Sequence, residues 1–314
     1  MAIVYVICSD HSLPSGGIMK LYELVDILNA NGFRSFLVHK RKNFRNIWFE
    51  NSTQIIDYQS VKLKFDDIIV LPEGYAALIP NICPGVRKII YNQNSFNTLR
   101  PFYDDPFAAR LAYIHPDVIQ VLTVSTYDLK VLRSIFPSAN ISMIPTSINE
   151  KLFHFCPNKS KTIAVMPRKM PDDFIYLMSF LSLGDQLNGY KFKVINDITL
   201  YETAQILKES AIFLSFSQKE SFGLPPAEAM ACGCIVIGYH GQGGKEFFKT
   251  TLTYPIEQSD ILTYAKCITH VIQEFDSNPE KMRHMGQAAS AFILENYPVE
   301  NQKKSILKMI SQFI

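Results

Sequence analysis

Short β-branched runs alternate with amphipathic helical stripes along this chain of 314 residues, and that alternation leaves few folds open. Residues 2–7, 35–38, 67–71, 86–91 and 119–125 each read as a short buried strand. Between the first two, Ile18, Leu21, Tyr22, Val25 and Leu28 form one apolar stripe at helical spacing, opened by Ser15-Gly16-Gly17 and stopped at Gly32. A further helix is predicted over 126–136, ending before Pro137. Strands separated by helices must cross over and pair in parallel, with helices on both faces of the sheet.

The pattern breaks at the polar stretch 149–161 and then restarts. Strands are predicted over 161–166, 190–195, 211–216 and 234–238, and helices over 173–183, 200–209 and 226–232. Helical segments at 259–275, 279–295 and 298–310 close the chain. The expectation is an α/β protein with two doubly wound Rossmann-like domains, 1–155 and 156–314, facing an interdomain cleft, with the final helix free to pack back on the first domain. The length suits two domains of about 150 residues each.

Composition narrows the function classes. At 47% hydrophobic and 19% charged residues the chain can bury real cores, which excludes a disordered protein. A net charge of +2 argues against nucleic acid as a partner. The six cysteines, Cys8, Cys83, Cys156, Cys232, Cys234 and Cys267, make no metal-type pair and are expected as reduced thiols. No apolar run approaches the roughly 20 residues of a membrane span, and the start of the chain lacks the pattern of a signal peptide. A cytoplasmic location is expected.

The chemistry is concentrated in residues 215–238, SFSQKESFGLPPAEAMACGCIVIG. A buried strand ends near Phe216 and a polar loop follows, and Pro225-Pro226 marks a helix start, where proline is tolerated. The N–H groups of Ser221, Phe222, Gly223 and Leu224 then lie near a helix N-terminus, a place that favours phosphate. Glu228 is predicted in the first helical turn, able to accept from a ribose diol. Glu220, in the loop, could accept from a second sugar. Solvated flanking acids are the plain alternative for both.

This string resembles the signature of the family 4, or group 1, glycosyltransferases, which are retaining enzymes of the GT-B fold that use nucleoside diphosphate sugars. The resemblance implies that Glu220 touches hydroxyls of the donor sugar, that Glu228 binds the ribose, and that the backbone from Ser221 to Leu224 holds the diphosphate. Arg168, in Met166-Pro167-Arg168-Lys169-Met170, matches the arginine of the family's G-R-x-x-x-x-K pattern. Its glycine is Pro167 here, and its lysine is Asp173, so Lys169 is expected to substitute. Gly16 and Gly17 resemble the family's amino-terminal glycine loop. Ile198 closes a stretch, 194–198, that corresponds to the loop framing the nucleobase. Residues 145–149 resemble the interdomain segment.

A histidine that many relatives carry in the first domain has no clear match. Asn92, Gln93 and Asn94 occupy a comparable strand end, and His11 follows the first strand; these four are the expected acceptor or sugar contacts. Gly243 belongs to a glycine-rich loop, 238–246, expected to line the donor sugar. The resemblance implies no cofactor and no metal, with a glycan, a lipid-linked or another small molecule as acceptor. The run 40–49 mixes cations with aromatics. It reads either as a solvated loop over a partly buried Trp48 or as a patch for peripheral attachment to the inner membrane face. The rival functions are a catalytically inactive GT-B protein that still binds nucleotide sugars, and a nicotinamide oxidoreductase. The second lacks a glycine fingerprint after the first strand and an acid after the second.

Overall fold

The computed structural model describes residues 2–184 and 187–314. The chain forms two compact units, residues 1–146 with 300–314 and residues 147–299. The sequence placed the boundary at 155/156. The structure moves it forward because Ile148 and Phe153, both nearly inaccessible, pack into the second unit's core.

The first unit contains β1 (Val4–Ile7), α1 (Gly16–Ala30), β2 (Ser35–His39), β3 (Ile55–Asp57), β4 (Ile68–Pro72), β5 (Arg87–Tyr91), α2 (Pro106–Tyr113), β6 (Val118–Thr123), α3 (Thr126–Ile135) and β7 (Ile141–Met143). Among the described residues its strands make one seven-stranded sheet ordered β3-β2-β1-β4-β5-β6-β7, with every pairing parallel. The order reverses between β1 and β4. Connections leave those neighbours in opposite directions, which opens a crevice at their carboxyl ends.

The stripe on α1 buries Ile18, Leu21, Tyr22, Val25 and Leu28 against Val4, Val6 and Leu37. Each such side chain, fully buried, contributes about 1.5–3 kcal/mol. Three-residue β3 and β7 and eight-residue α2 are too short to leave a period in the sequence.

The second unit contains β8 (Ser160–Val165), α4 (Pro171–Leu183), β9 (Lys191–Val194), α5 (Leu200–Glu209), β10 (Ser210–Glu220), α6 (Leu224–Ala231), β11 (Ile235–Gln242), β12 (Thr253–Pro255), α7 (Ile261–Ser277) and α8 (Pro279–Asn296). Its sheet is ordered β12-β11-β10-β8-β9, again parallel, and reverses between β8 and β10. The core of this sheet is continuous with the sequence runs that announced it: Ile163, Val165, Ile212, Leu214, Ile235 and Ile237 are all inaccessible.

The last helix, α9 (Val299–Ile310), sets Ile306, Met309 and Ile310 into the core of the first unit. Where the chain crosses between the units it does so side by side: Ile148 pairs with Pro298, and its N–H donates to the Tyr297 carbonyl at 2.9 Å. All six cysteines are free thiols; Cys8, Cys232 and Cys234 are buried, Cys156 and Cys267 half-buried and Cys83 exposed.

Candidate functional site

The reversal between β8 and β10 gathers the main candidates. Arg168 and Lys169 follow β8, and Glu220 ends β10. Lys169 Nζ lies 2.6 Å from Glu220 Oε1 and 3.4 Å from the Gln218 carbonyl. The two side chains are 34% and 24% exposed, so a solute can reach the pair. Arg168, its neighbour, is exposed.

Glu220 owes its position to an irregularity that the sequence does not announce. The strand was expected to stop at Phe216; β10 instead continues to Glu220, and its register against β11 shifts between Ser217 and Glu220. Lys219 there has φ 51°, and Glu220 then pairs with Gln242. A bulge of this kind bends the strand and re-aims the side chain after it.

Helix α6 starts at Leu224, with Gly223 as its N-cap at φ 95° and ψ 69°. The predicted start at 226 is therefore two residues late. The first N–H groups of a helix have no acceptor within it, and Pro225 and Pro226 have no N–H at all. The donors at this end are thus confined to Gly223 and Leu224. The earlier start also moves Glu228 out of the first turn, to the fifth helical residue, where it is 5% exposed.

The glycine-rich loop after β11 closes over the same segment. A Cβ on Gly243 would lie 1.9 Å from the Ser221 carbonyl oxygen, so no other residue fits. The preceding Gln242 has φ 80° and ψ −59°, a strained γ-turn value that costs about 1–3 kcal/mol. Phe222 turns its ring inward, with centroids 5.2 Å from Phe247 and 5.0 Å from Tyr297. Its backbone is thereby pinned beside Gly223. Ile198 packs, half-buried, on the same apolar cluster.

Asp173, the residue at the family's lysine position, has a structural partner. Tyr239 donates its hydroxyl hydrogen to Asp173 Oδ2 at 2.7 Å. Burial pushes the Tyr239 phenol up, and the Asp173 carboxylate pushes it further in the same direction. Asp173 also lies in the first turn of α4, where negative charge is favoured.

The remaining candidates lie in the first unit. Gly16 and Gly17 open α1, after Ser15 as N-cap. His11 is exposed in the loop after β1. Asn92, expected among the acceptor contacts, is fully buried. Its amide donates to Thr98 Oγ1 at 2.7 Å and to the Tyr113 hydroxyl at 2.6 Å, so it ties the strand end together instead of facing a ligand. Asn94 Oδ1 accepts from the Phe96 N–H at 3.0 Å. Gln93 Nε2 donates to the Gly17 carbonyl at 2.9 Å.

Glu73, which the sequence reading missed, begins the turn after β4 and is 7% exposed. Burial pushes its carboxyl up to about 7, against hydrogen bonds from the Gln93 N–H and neighbouring backbone that lower it. A lone acid directly after an apolar strand was its only sequence signal. A second buried chain of polar groups braces β2. Asn46 N–H donates to the Tyr22 hydroxyl at 3.0 Å. The Asp10 carboxylate, its Oδ1 3.1 Å from His39 Nδ1, can only accept, so the ring hydrogen sits on Nδ1 and Nε2 accepts from the Tyr22 hydroxyl at 2.9 Å.

The aromatic half of the run 40–49 is turned inward: Trp48 is 8% exposed and packs at a tilt against Phe49, and Phe44 meets His39 edge-on. Lys40, Arg41, Lys42 and Ile47 remain outside, so the turn presents charge with little apolar surface. Among the described residues, no helix is long and apolar enough to cross a membrane, and no three His, Cys, Asp or Glu side chains are grouped to hold a metal ion.

Comparison with known proteins finds similarity to glycosyltransferases. Residues 182–292 match the family model described as glycosyl transferases group 1. An alpha-1,6-glucosyltransferase of Actinobacillus pleuropneumoniae serotype 7 (strain AP76) is 30% identical over 198 residues, 60% of this chain and 57% of that protein. The matched part of the chain thus spans little more than half the length of that curated relative. Among solved structures, sucrose-phosphate synthase from Thermosynechococcus elongatus superposes with a TM-score of 0.73 at 14% identity, over 99% of both chains. Anabaena HepE in complex with UDP-glucose superposes with a TM-score of 0.71 at 11% identity, over 99% of this chain and 100% of that one. The fold is the GT-B fold of those glycosyltransferases, two Rossmann-like α/β units.

Proposed function

We propose that this protein is a retaining glycosyltransferase that moves a hexose from a nucleoside diphosphate sugar to a hydroxyl of a glycan or other small acceptor. The observation that carries the reading is the meeting of Lys169 and Glu220 at 2.6 Å across the β8–β10 reversal, beside the free amide end of α6. The group 1 match and the alpha-1,6-glucosyltransferase relative support it. That relative and the UDP-glucose complex of HepE make UDP-glucose the first donor to try.

In this reading the diphosphate lies against the N–H groups of Gly223 and Leu224, and Arg168 and Lys169 offset its charge. Glu220 accepts from hydroxyls of the sugar, and Glu228 from the ribose. In the resting protein Lys169 and Glu220 neutralise each other. A bound donor gives each its own partner, phosphate for the cation and sugar for the acid. As the bond from the anomeric carbon to the phosphate oxygen breaks, negative charge grows on the diphosphate. Donors already aimed at it lower the barrier by about 3–4 kcal/mol each. The acceptor hydroxyl forms the new bond on the face the diphosphate leaves, and its proton passes to the departing phosphate. Configuration is then retained. No metal enters this scheme, because the cations and amides carry the charge. An inactive binding protein gains nothing from Asp173, since that acid has its own structural partner and Lys169 supplies the cation.

The test is a thermal-shift series with UDP, GDP, ADP and their glucose derivatives, followed by NMR of the product's anomeric centre. A ligand at about a hundred times its Kd adds about 2.7 kcal/mol to apparent stability. A shift with one nucleotide family and an α-linked product are expected. No shift with any nucleotide sugar, or a β-linked product, overturns the reading.

A further inference from the structure

The first sheet reverses between β1 and β4, and the segments following those two strands border the resulting crevice. The residues there are the Gly16-Gly17 opening of α1 and Glu73. They are not joined directly. The turn after β5 connects them. Glu73 Oε2 accepts from the Gln93 N–H at 2.9 Å, and Gln93 Nε2 donates to the Gly17 carbonyl at 2.9 Å. The fit at Gly17 is tight: a Cβ there would lie 2.8 Å from Gln93 Oε1. The same turn is held from its other side, where the Ser95 N–H reaches the buried Asp128 carboxylate at 3.4 Å.

We propose that Glu73 is a positioning residue for the transfer, fixing the turn after β5 and, through the Gln93 side chain, the glycine opening of α1. The inference rests on the glycosyl-transfer reading above. Its physical basis is that a glycine pair has the greatest backbone freedom of any dipeptide, and that freedom must be removed before the pair can present its N–H groups to a ligand. Ser15 adds no side-chain cap to this helix start, so the restraint has to come from elsewhere. Gln93 supplies it, and Glu73 holds Gln93. A carboxyl suits the task because it accepts several N–H groups at once, and burial keeps water from competing for them.

The experiment compares wild type with Glu73→Ala, Glu73→Gln and Gln93→Ala by amide hydrogen exchange and by transfer kinetics with UDP-glucose, or with whichever donor the thermal series selects. Glu73→Ala is expected to raise exchange over residues 16–19 by about tenfold or more, with exchange in the second unit unchanged. Its kcat should fall about 10- to 100-fold while the donor KM stays within about threefold. Glu73→Gln keeps one acceptor oxygen and should recover most of both. Gln93→Ala should loosen 16–19 while leaving 73–78 protected. If Glu73→Ala does not fold, the other two variants decide. Wild-type exchange over 16–19 in Gln93→Ala overturns the proposal, and so does a Glu73→Gln protein with wild-type exchange over 92–95 and a kcat as low as that of Glu73→Ala. A wild type that transfers no sugar from any donor brings down the functional reading instead, and the exchange data still decide whether the coupling exists.

Discussion

Lys169, just after β8, and Glu220, at the end of β10, lie 51 positions apart in the sequence, and they meet at 2.6 Å because β8 and β10 are neighbours where the strand order reverses. The pair is partly exposed, and exposed ion pairs contribute about 0–1 kcal/mol to stability. Glu220→Ala and Lys169→Ala should therefore unfold within about 1 kcal/mol of wild type. Their kcat/KM for transfer should fall about a hundred- to a thousandfold. Denaturant titration and steady-state kinetics on the same preparations separate the two effects, and normal transfer by both variants would remove the site assignment.

The Tyr239–Asp173 hydrogen bond should behave in the opposite way. It is built into the second unit, with Tyr239 2% exposed. A hydrogen bond to a charged group contributes about 1.5–3 kcal/mol, so Tyr239→Phe should cost about that much. Asp173→Lys should cost more, because the Tyr239 hydroxyl then loses its carboxylate acceptor and faces a cation instead. Urea denaturation midpoints check both.

His39 gives the first unit an acid-sensitive brace. Burial holds its imidazole below the usual value of 6.5, outweighing the pull of Asp10 in the other direction. The unfolded chain then binds the extra proton more readily than the native one. Stability from this group is fully present above 6.5 and is lost as the pH falls through the lower folded value. Denaturation curves between pH 5 and about 8 should show wild type losing stability on the acid side, and a His39→Gln protein with a flatter profile.

Glu73 titrates with the reverse sign. Its carboxyl is raised from 4.5 to about 7, so its contribution is fully present below 4.5 and is lost as the pH rises through about 7. A shift of that size amounts to about 3 kcal/mol across the window. Glu73→Gln cannot ionise and should remove this decline. An unchanged profile in that variant would mean the acid is ionised throughout.

Much of this was legible in the sequence. The alternation of runs and stripes gave the parallel sheets, because an apolar strand and an amphipathic helix each carry their period locally. The motif 215–238 was legible because its candidate site groups lie on one contiguous segment. What escaped depends on register and distance. The bulge that places Glu220 follows from pairing between β10 and β11, and the two-residue error at α6 moved Glu228 from the third helical residue to the fifth. Asn92 and Gln93 are adjacent and chemically alike, yet one is sealed inside and the other reaches Gly17, 76 positions away. Nothing in a string of amides distinguishes them until the sheet is assembled.

Helix α9 returns Ile306, Met309 and Ile310 to a core begun by Val4 and Val6. During synthesis the first half of that core emerges long before its last piece, and the second unit is complete in between. A ribosome-bound chain of residues 1–299 would carry an uncovered apolar strip on its first unit, open to chaperones or to wrong partners. Maturation of this unit therefore waits on residues 300–314, however early its strands pair.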